Sequence, residues 1–156
     1  MFDAPIDAWY VWFGTAVAGA TLLGVVGSLP TTAPPDATVV ADTVDSVAAS
    51  ETAATGEVPL DATALRIGPH RVALRNDAGT AHGSFAFGPV TPVADGSRLQ
   101  RVVYGTPPNR VFDSPTAFQQ AVVEARTREA TWETADRTMV VRSTEWGGVD
   151  VTLVDA

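Results

Sequence analysis

Residues 64–87 read ALRIGPHRVALRNDAGTAHGSFAF, and this stretch decides the fold class. Apolar and polar residues alternate along it with a period of two, which is typical of β-strands that bury one face. The alternation predicts three strands, at 64–67, 70–75 and 81–87. Because Gly, Pro, Asn and Asp separate them, tight turns join neighbouring strands, and the sheet is mostly antiparallel.

The residues that follow extend the same domain. A fourth strand is predicted at 98–104. Ser114 followed by Pro115 predicts a helix start, since a capping hydroxyl precedes a proline at the first helical position. Further strands are predicted at 131–134, 137–143 and 149–154, the last two joined through 144–148. Residues 57–156 are therefore expected to form a small α+β domain with one packed helix.

An uncharged stretch precedes this domain. Residues 8–29 read AWYVWFGTAVAGATLLGVVGSL, long enough to cross about 30 Å of hydrocarbon as a helix. Trp9, Tyr10 and Trp12 cluster at one end, as aromatic rings do at a lipid headgroup boundary. We therefore expect residues 1–30 to form an N-terminal, single-pass transmembrane anchor surrounded by membrane lipid.

Two other interpretations compete with a membrane anchor. A cleaved signal peptide has a basic N-terminal region, whereas this chain carries Asp3 and Asp7 there. A buried core helix is usually shorter and has a polar stripe. Both comparisons favour an uncleaved anchor.

Small residues recur every fourth position within the stretch: Ala16, Ala20, Gly24 and Ser28. This spacing lines one helix face and lets a second helix approach, which predicts self-association. Chance in an Ala- and Gly-rich segment explains the same spacing. The first basic residue is Arg66, so no flanking charge orients the anchor, and the Thr/Ala/Pro composition after it favours an extracytoplasmic domain at the cell membrane.

Residues 31–56 are predicted to be an acidic stalk. Prolines at its start favour extended backbone. Asp36 then caps a short helix that runs to about Ser50, with Val40, Val44 and Val47 on one face.

The charge of the chain is strongly acidic. The net charge is -8, with 18 acidic residues against 10 basic ones, all arginine. Excess carboxylates keep a surface hydrated in concentrated salt, which is typical of an extreme halophile, and they disfavour a nucleic-acid partner. The absence of cysteine excludes disulfides and thiol chemistry.

No pattern predicts catalysis, a metal or a cofactor. His70 and His82 are the only histidines, and neither has the companion ligands that a metal site needs. Ser84 lies in HGSFA rather than in a nucleophile elbow, and no glycine motif for phosphate binding occurs. We therefore expect a protein that is not an enzyme.

Two features are candidate contact sites. A basic strip on the sheet is predicted from five arginines: Arg66, Arg71, Arg75, Arg98 and Arg101. It suits a small anionic ligand or an acidic partner, although neutralisation of the chain's own acids is the alternative. Trp146 lies in a predicted turn, where it either contacts a partner or covers an edge of the core.

Several segments resemble an uncharacterised family of small haloarchaeal membrane-anchored proteins. They are MFDAPIDAWYVW (1–12), GPHRVALRND (68–77), AFGPVTPV (86–93), PPNRVFDSPTAF (107–118) and WGGVDVTLV (146–154). The resemblance implies a place among pilus-like or secretion-associated proteins of the cell surface. The acidic N-terminus departs from the basic N-terminus of archaeal prepilins, so an accessory protein fits better than a processed pilin.

These observations leave three functions to compare. The first is a non-enzymatic, anchored accessory or structural protein of a cell-surface assembly, with protein partners or self-association. The alternative is an anchored sensor that binds a small anionic ligand in a concave pocket on the arginine-bearing sheet face. An enzyme of unknown class is the third, and it lacks a nucleophile–base pair.

Overall fold

The computed structural model describes residues 6–27 and 32–156. The chain divides into two compact units, residues 1–33 and 34–156. The first contains helix α1 (Ile6–Gly27). Among the described residues, no helix has both the length and the apolar character that crossing a membrane requires.

The predicted transmembrane anchor at 8–29 is therefore wrong. The helix begins at Ile6 rather than Ala8, so its first turn includes Asp7, which the prediction had placed outside the apolar stretch. Lipid contact, self-association and a cell-membrane location were argued from that anchor, and they stay predictions of the sequence.

The second unit is an α+β domain. Its elements, in chain order, are α2 (Ala37–Ala48), β1 (Thr55–Pro59), β2 (Ala64–Gly68), β3 (Arg71–Asn76), β4 (Gly79–Ser84), β5 (Thr91–Pro92), α3 (Arg98–Val103), a 3-10 turn (Pro108–Arg110), α4 (Pro115–Thr127), β6 (Glu133–Thr134), β7 (Thr138–Trp146) and β8 (Val149–Asp155).

The strands form two four-stranded sheets instead of the one predicted. Sheet A has the order β1-β7-β8-β5, and sheet B has the order β4-β3-β2-β6. All neighbours are antiparallel except β5 and β8, which are parallel. The turn between β7 and β8 is formed by Gly147 and Gly148, whose φ angles of 60° and 79° suit a type I′ hairpin.

Helix α2 is confirmed as a helix capped by Asp36. The Asp36 carboxylate accepts hydrogen bonds from the backbone amides of Thr38 and Val39. The helix does not stand apart as a stalk element: it packs against both sheets, and the compact unit begins at Pro34. Asp45 on α2 also accepts hydrogen bonds from the amides of Ala86 and Phe87, which ties the loop after β4 to the helix.

A first core lies between the two sheets and α2. Its members include Val40, Val44, Val58, Leu65, Val72, Leu74, Met139 and Val141. Because α2 fills the space between the sheets, its buried valines connect sheet A to sheet B.

A second core lies between sheet A and the helices α3 and α4. It includes Phe112 and Phe118, whose ring centroids are 5.3 Å apart, and the β8 residues Val151 and Leu153. The start of α4 is confirmed, since the Ser114 hydroxyl accepts a hydrogen bond from the Ala117 amide. The helices thus cover one face of sheet A while α2 and sheet B cover the other.

The predicted strand at 98–104 is wrong, because these residues form α3. Leu99, Val102 and Val103 are buried at the i, i+3 and i+4 spacing of a helix. The domain therefore has three packed helices rather than one. The sequence pattern does not predict strands β1 and β5, because β1 has a single buried side chain and β5 has only two residues.

Candidate binding surface

The outer face of sheet B carries three of the predicted arginines. Leu65, Val72 and Leu74 point into the first core, so the alternate residues of β2 and β3 point away from it. We call the surface formed by Arg66, Arg71, Arg75, His82 and Trp132 the arginine face. Strand register places Arg66 opposite Ala73, and Ala73 in turn opposite His82.

Trp132 organises two of these arginines. The guanidinium carbon of Arg75 lies 4.0 Å from the indole centroid, and that of Arg66 lies 5.2 Å from it. Such distances give cation–π attraction, and stacking leaves the edge of a guanidinium free to donate hydrogen bonds. Arg75 also donates from Nε to the Thr80 hydroxyl at 3.4 Å. The two cations are therefore oriented by neutral groups of the protein.

The arginine face has no acidic counterpart. The outward residues of β2, β3 and β4 comprise alanine, glycine, arginine, threonine, histidine and serine, without a carboxylate. Over residues 6–27 and 32–156 the structure shows no arginine–carboxylate ion pair within 4.0 Å. A chain of net charge -8 thus concentrates unneutralised positive charge on one sheet face. The alternative for these arginines is that they neutralise acids of the chain through ion pairs. No such pair within 4.0 Å occurs among the described residues.

The other two predicted arginines lie elsewhere. Arg98 and Arg101 belong to α3, which packs on sheet A. The Arg98 guanidinium carbon lies 4.6 Å from the centroid of Phe112. The five-arginine strip therefore splits into a group of three on sheet B and a pair on α3.

Trp146, the remaining candidate in this domain, packs against the second core. Trp146 is half-buried against Phe118, with ring centroids 6.1 Å apart, so it covers an edge of the second core. Ala16 and Ala20 are exposed on α1, nothing is described of Gly24 beyond its helical backbone, and Ser28 lies outside the described residues. Sequence reasoning missed Trp132, although its position within the strand predicted at 131–134 and its aromatic character were available signals.

A buried carboxyl group ends β8. Asp155 is 5% exposed, and Gln100 donates to it from Nε2 at 3.3 Å. Burial raises the pKa of Asp155, although hydrogen bonds from Tyr104 and Gln100 oppose the rise. The hydrogen bond to Asp155, with burial and nearby carboxylates, raises the pKa of Tyr104 to about 12. Within the described part of the chain, no group of three or more His, Asp or Glu side chains is arranged to hold a metal ion.

Two cavities open on the other side of the domain. One, of about 150 Å³, lies between α3 and α4 and is lined by Ser97, Arg98, Glu124 and Arg128 among others. A smaller one, of about 50 Å³, lies at the end of α4 beside β2. Neither is lined by Arg66, Arg71 or Arg75, so the concave pocket expected on the arginine face is not found at these two sites.

Residues 3–144 match a family of unknown function, DUF7283. The chain belongs to that family. The DUF7283 match includes every residue of the arginine face, whereas Asp155 lies beyond its end. No curated protein and no solved structure matches the chain.

Proposed function

We propose that this DUF7283 protein is a non-enzymatic accessory protein whose arginine face binds an acidic segment of a protein partner. The observation that carries the proposal is the pair Arg66 and Arg75, which stack on Trp132. Among the described residues, neither makes an ion pair with a carboxylate within 4.0 Å. Arginine donates to a carboxylate through two parallel hydrogen bonds, so an oriented guanidinium suits glutamate or aspartate side chains.

The flatness of the surface favours a macromolecular partner. The arginine face is an open sheet surface rather than a cleft, and a small ligand is normally enclosed on most of its surface. An extended acidic segment can instead contact Arg66, Arg71 and Arg75 together. Arg71 and Arg75 are four residues apart on β3, and Arg66 on β2 lies level with Ala73, midway between them. Each strand advances about 3.3 Å per residue, so the three positions follow one another at two-residue steps, which match alternate side chains of an extended peptide.

The partner proposed belongs to a cell-surface assembly of a halophilic archaeon. The acidic composition of this chain supports a high-salt setting, and proteins of such a setting offer abundant carboxylates. Charge screening reduces the Debye length to about 3 Å in 1 M salt. Binding would therefore depend on direct guanidinium–carboxylate contact more than on long-range attraction.

The decisive experiment measures fluorescence anisotropy of a labelled poly-glutamate peptide with the full chain, in low and in molar salt. The double variant Arg66→Gln/Arg75→Gln should bind at least about tenfold more weakly, since hydrogen bonds to charged groups contribute about 1.5–3 kcal/mol each. The matched control is Arg110→Gln/Arg137→Gln, which removes two exposed arginines outside the face. Equal weakening in both double variants would overturn the proposal.

A second arm of the same experiment tests the class of partner. A single-stranded oligonucleotide competes with the peptide if stacking on Trp132 and phosphate contacts dominate. We expect the oligonucleotide to displace the peptide less effectively than unlabelled poly-glutamate does. Stronger displacement by the oligonucleotide would replace the acidic protein with a nucleic acid as partner.

A small anionic ligand on the arginine face is the alternative function, and it has the same stacked arginines in its favour. Titration with inorganic sulfate can be followed by tryptophan fluorescence, with Trp132→Phe identifying the signal of Trp132 among the four tryptophans. Saturation at millimolar concentration in the parent chain, and not in Arg66→Gln/Arg75→Gln, would support this alternative. A chain that binds the peptide but shows no saturation with sulfate supports the protein partner.

A further inference from the structure

The cavity between α3 and α4 is distinct from the arginine face. Its volume is about 150 Å³, and a cavity of that size holds an organic molecule of about six heavy atoms. Leu99 and Ala121 contribute apolar walls, while Ser97, Arg98, Glu124 and Arg128 contribute polar or charged groups. Small-molecule sites commonly combine apolar walls with a few converging polar groups.

An unsatisfied hydroxyl lies at this cavity. The Ser97 Oγ atom is fully enclosed, and it has no hydrogen-bond partner. Ser97 precedes α3, yet its side chain does not cap the helix. Buried hydroxyls in proteins are nearly always hydrogen-bonded. The enclosed Ser97 hydroxyl gains a partner from the cavity only if its side chain rotates towards that cavity.

The charged groups of the lining are also unpaired. Glu124 and Arg128 are one helical turn apart on α4, but the described residues show no ion pair between them within 4.0 Å. Arg98 is held against Phe112, which leaves its guanidinium edge free. Two cations and one anion give the lining a net charge of +1.

We infer that this cavity binds a small monocarboxylate with a short aliphatic chain. The carboxylate accepts hydrogen bonds from Arg98 and Arg128, and from the Ser97 hydroxyl once that side chain has rotated towards the cavity. The alkyl group lies along Leu99 and Ala121. A monoanion neutralises the lining, whereas a dianion such as phosphate leaves an excess of negative charge beside Glu124. Arginine also matches the planar geometry of a carboxylate.

The test is isothermal titration calorimetry of the full chain with isobutyrate. Saturable binding is expected, weakened about tenfold by Arg128→Gln and several-fold by Ser97→Ala, and unchanged by Arg110→Gln. The neutral isostere isobutyramide should bind at least about tenfold more weakly than isobutyrate. Absence of saturable binding, equal binding of isobutyramide, or tighter binding of inorganic phosphate would each overturn the inference.

Two measurements make the outcome independent of folding and of the proposed function. Ser97→Ala without ligand should unfold at the same denaturant concentration as the parent chain or a higher one, because the hydroxyl makes no hydrogen bond to lose. If Ser97→Ala lowered the stability of the ligand-free protein, the claim that the Ser97 hydroxyl has no hydrogen-bond partner would be wrong. Arg66→Gln/Arg75→Gln should retain isobutyrate binding, and a loss there would show that the cavity is not a separate site.

Discussion

Tyr104 and Asp155 form a pair in which the carboxyl group raises the pKa of the phenol. Tyr104 is largely exposed, so the surrounding protein alone would perturb it little, yet the adjacent Asp155 raises its pKa to about 12. The ordinary pKa of tyrosine is about 10. A raised pKa means that the folded state holds the phenolic proton more tightly than the unfolded chain does.

This pair predicts a specific titration. The Tyr104 absorbance change should have a midpoint near 12, and Asp155→Asn should move it towards the ordinary value because the carboxylate is removed. The other tyrosine, Tyr10, is subtracted by titrating Tyr104→Phe in parallel. The stability that Tyr104 contributes is fully present below about pH 10 and is lost as the pH rises through about 12. An unchanged midpoint in Asp155→Asn would show that the carboxylate is not the cause.

At the scale of elements, the contact between α2 and β4 depends on a glycine. A Cβ atom at Gly83 would lie 2.6 Å from the Ala37 carbonyl oxygen and 3.2 Å from the Ala41 methyl group. The first neighbour is backbone and cannot rotate away, so the helix must shift. The close approach of α2 to sheet B therefore requires the absence of a side chain at this position.

The corresponding prediction compares two glycine-to-alanine variants. Gly83→Ala should destabilise the domain by roughly 1–3 kcal/mol, as overpacking in a core does. Gly68→Ala is the matched control, because its nearest neighbour would lie at an ordinary 3.8 Å, and it should be neutral or slightly stabilising. Urea unfolding measures both values. Equal stability of the two variants would show that α2 does not pack this closely.

At the scale of the whole molecule, α2 decides where the folded domain begins. Burial of Val40, Val44 and Val47 contributes about 1.5–3 kcal/mol per side chain. Small domains have a net stability of only about 5–15 kcal/mol. Loss of α2 would therefore remove a large fraction of the free energy that keeps the two sheets together.

A truncation pair tests this conclusion. Residues 34–156 should unfold in one cooperative transition, followed by circular dichroism in urea. Residues 57–156, which begin at the domain boundary suggested by the alternating pattern, should lack such a transition and should bind a hydrophobic dye. Cooperative unfolding of the shorter chain would show that α2 is dispensable.

Much of the domain was predictable because its signals are local. The Asp36 and Ser114 caps, the alternation through 64–76 and the Gly147-Gly148 turn each depend on a few consecutive residues. The prediction of a strand at 98–104 is wrong because Leu99, Val102 and Val103 have the spacing of a buried helix face. The predicted span at 8–29 is also wrong, since no helix among the described residues is both long and apolar enough to cross a membrane.

The sequence by itself determined the α+β class, most element positions and the presence of three alternating arginines on β2 and β3. Only the tertiary structure divided the strands into two sheets, placed α2 between them and separated Arg98 and Arg101 from the arginine face. Only it brought Trp132 beneath Arg66 and Arg75, and Ser97 beside Arg128. The physical reason is range: caps, turns and alternation act between neighbours in the chain, whereas packing and charge clusters join residues far apart in it.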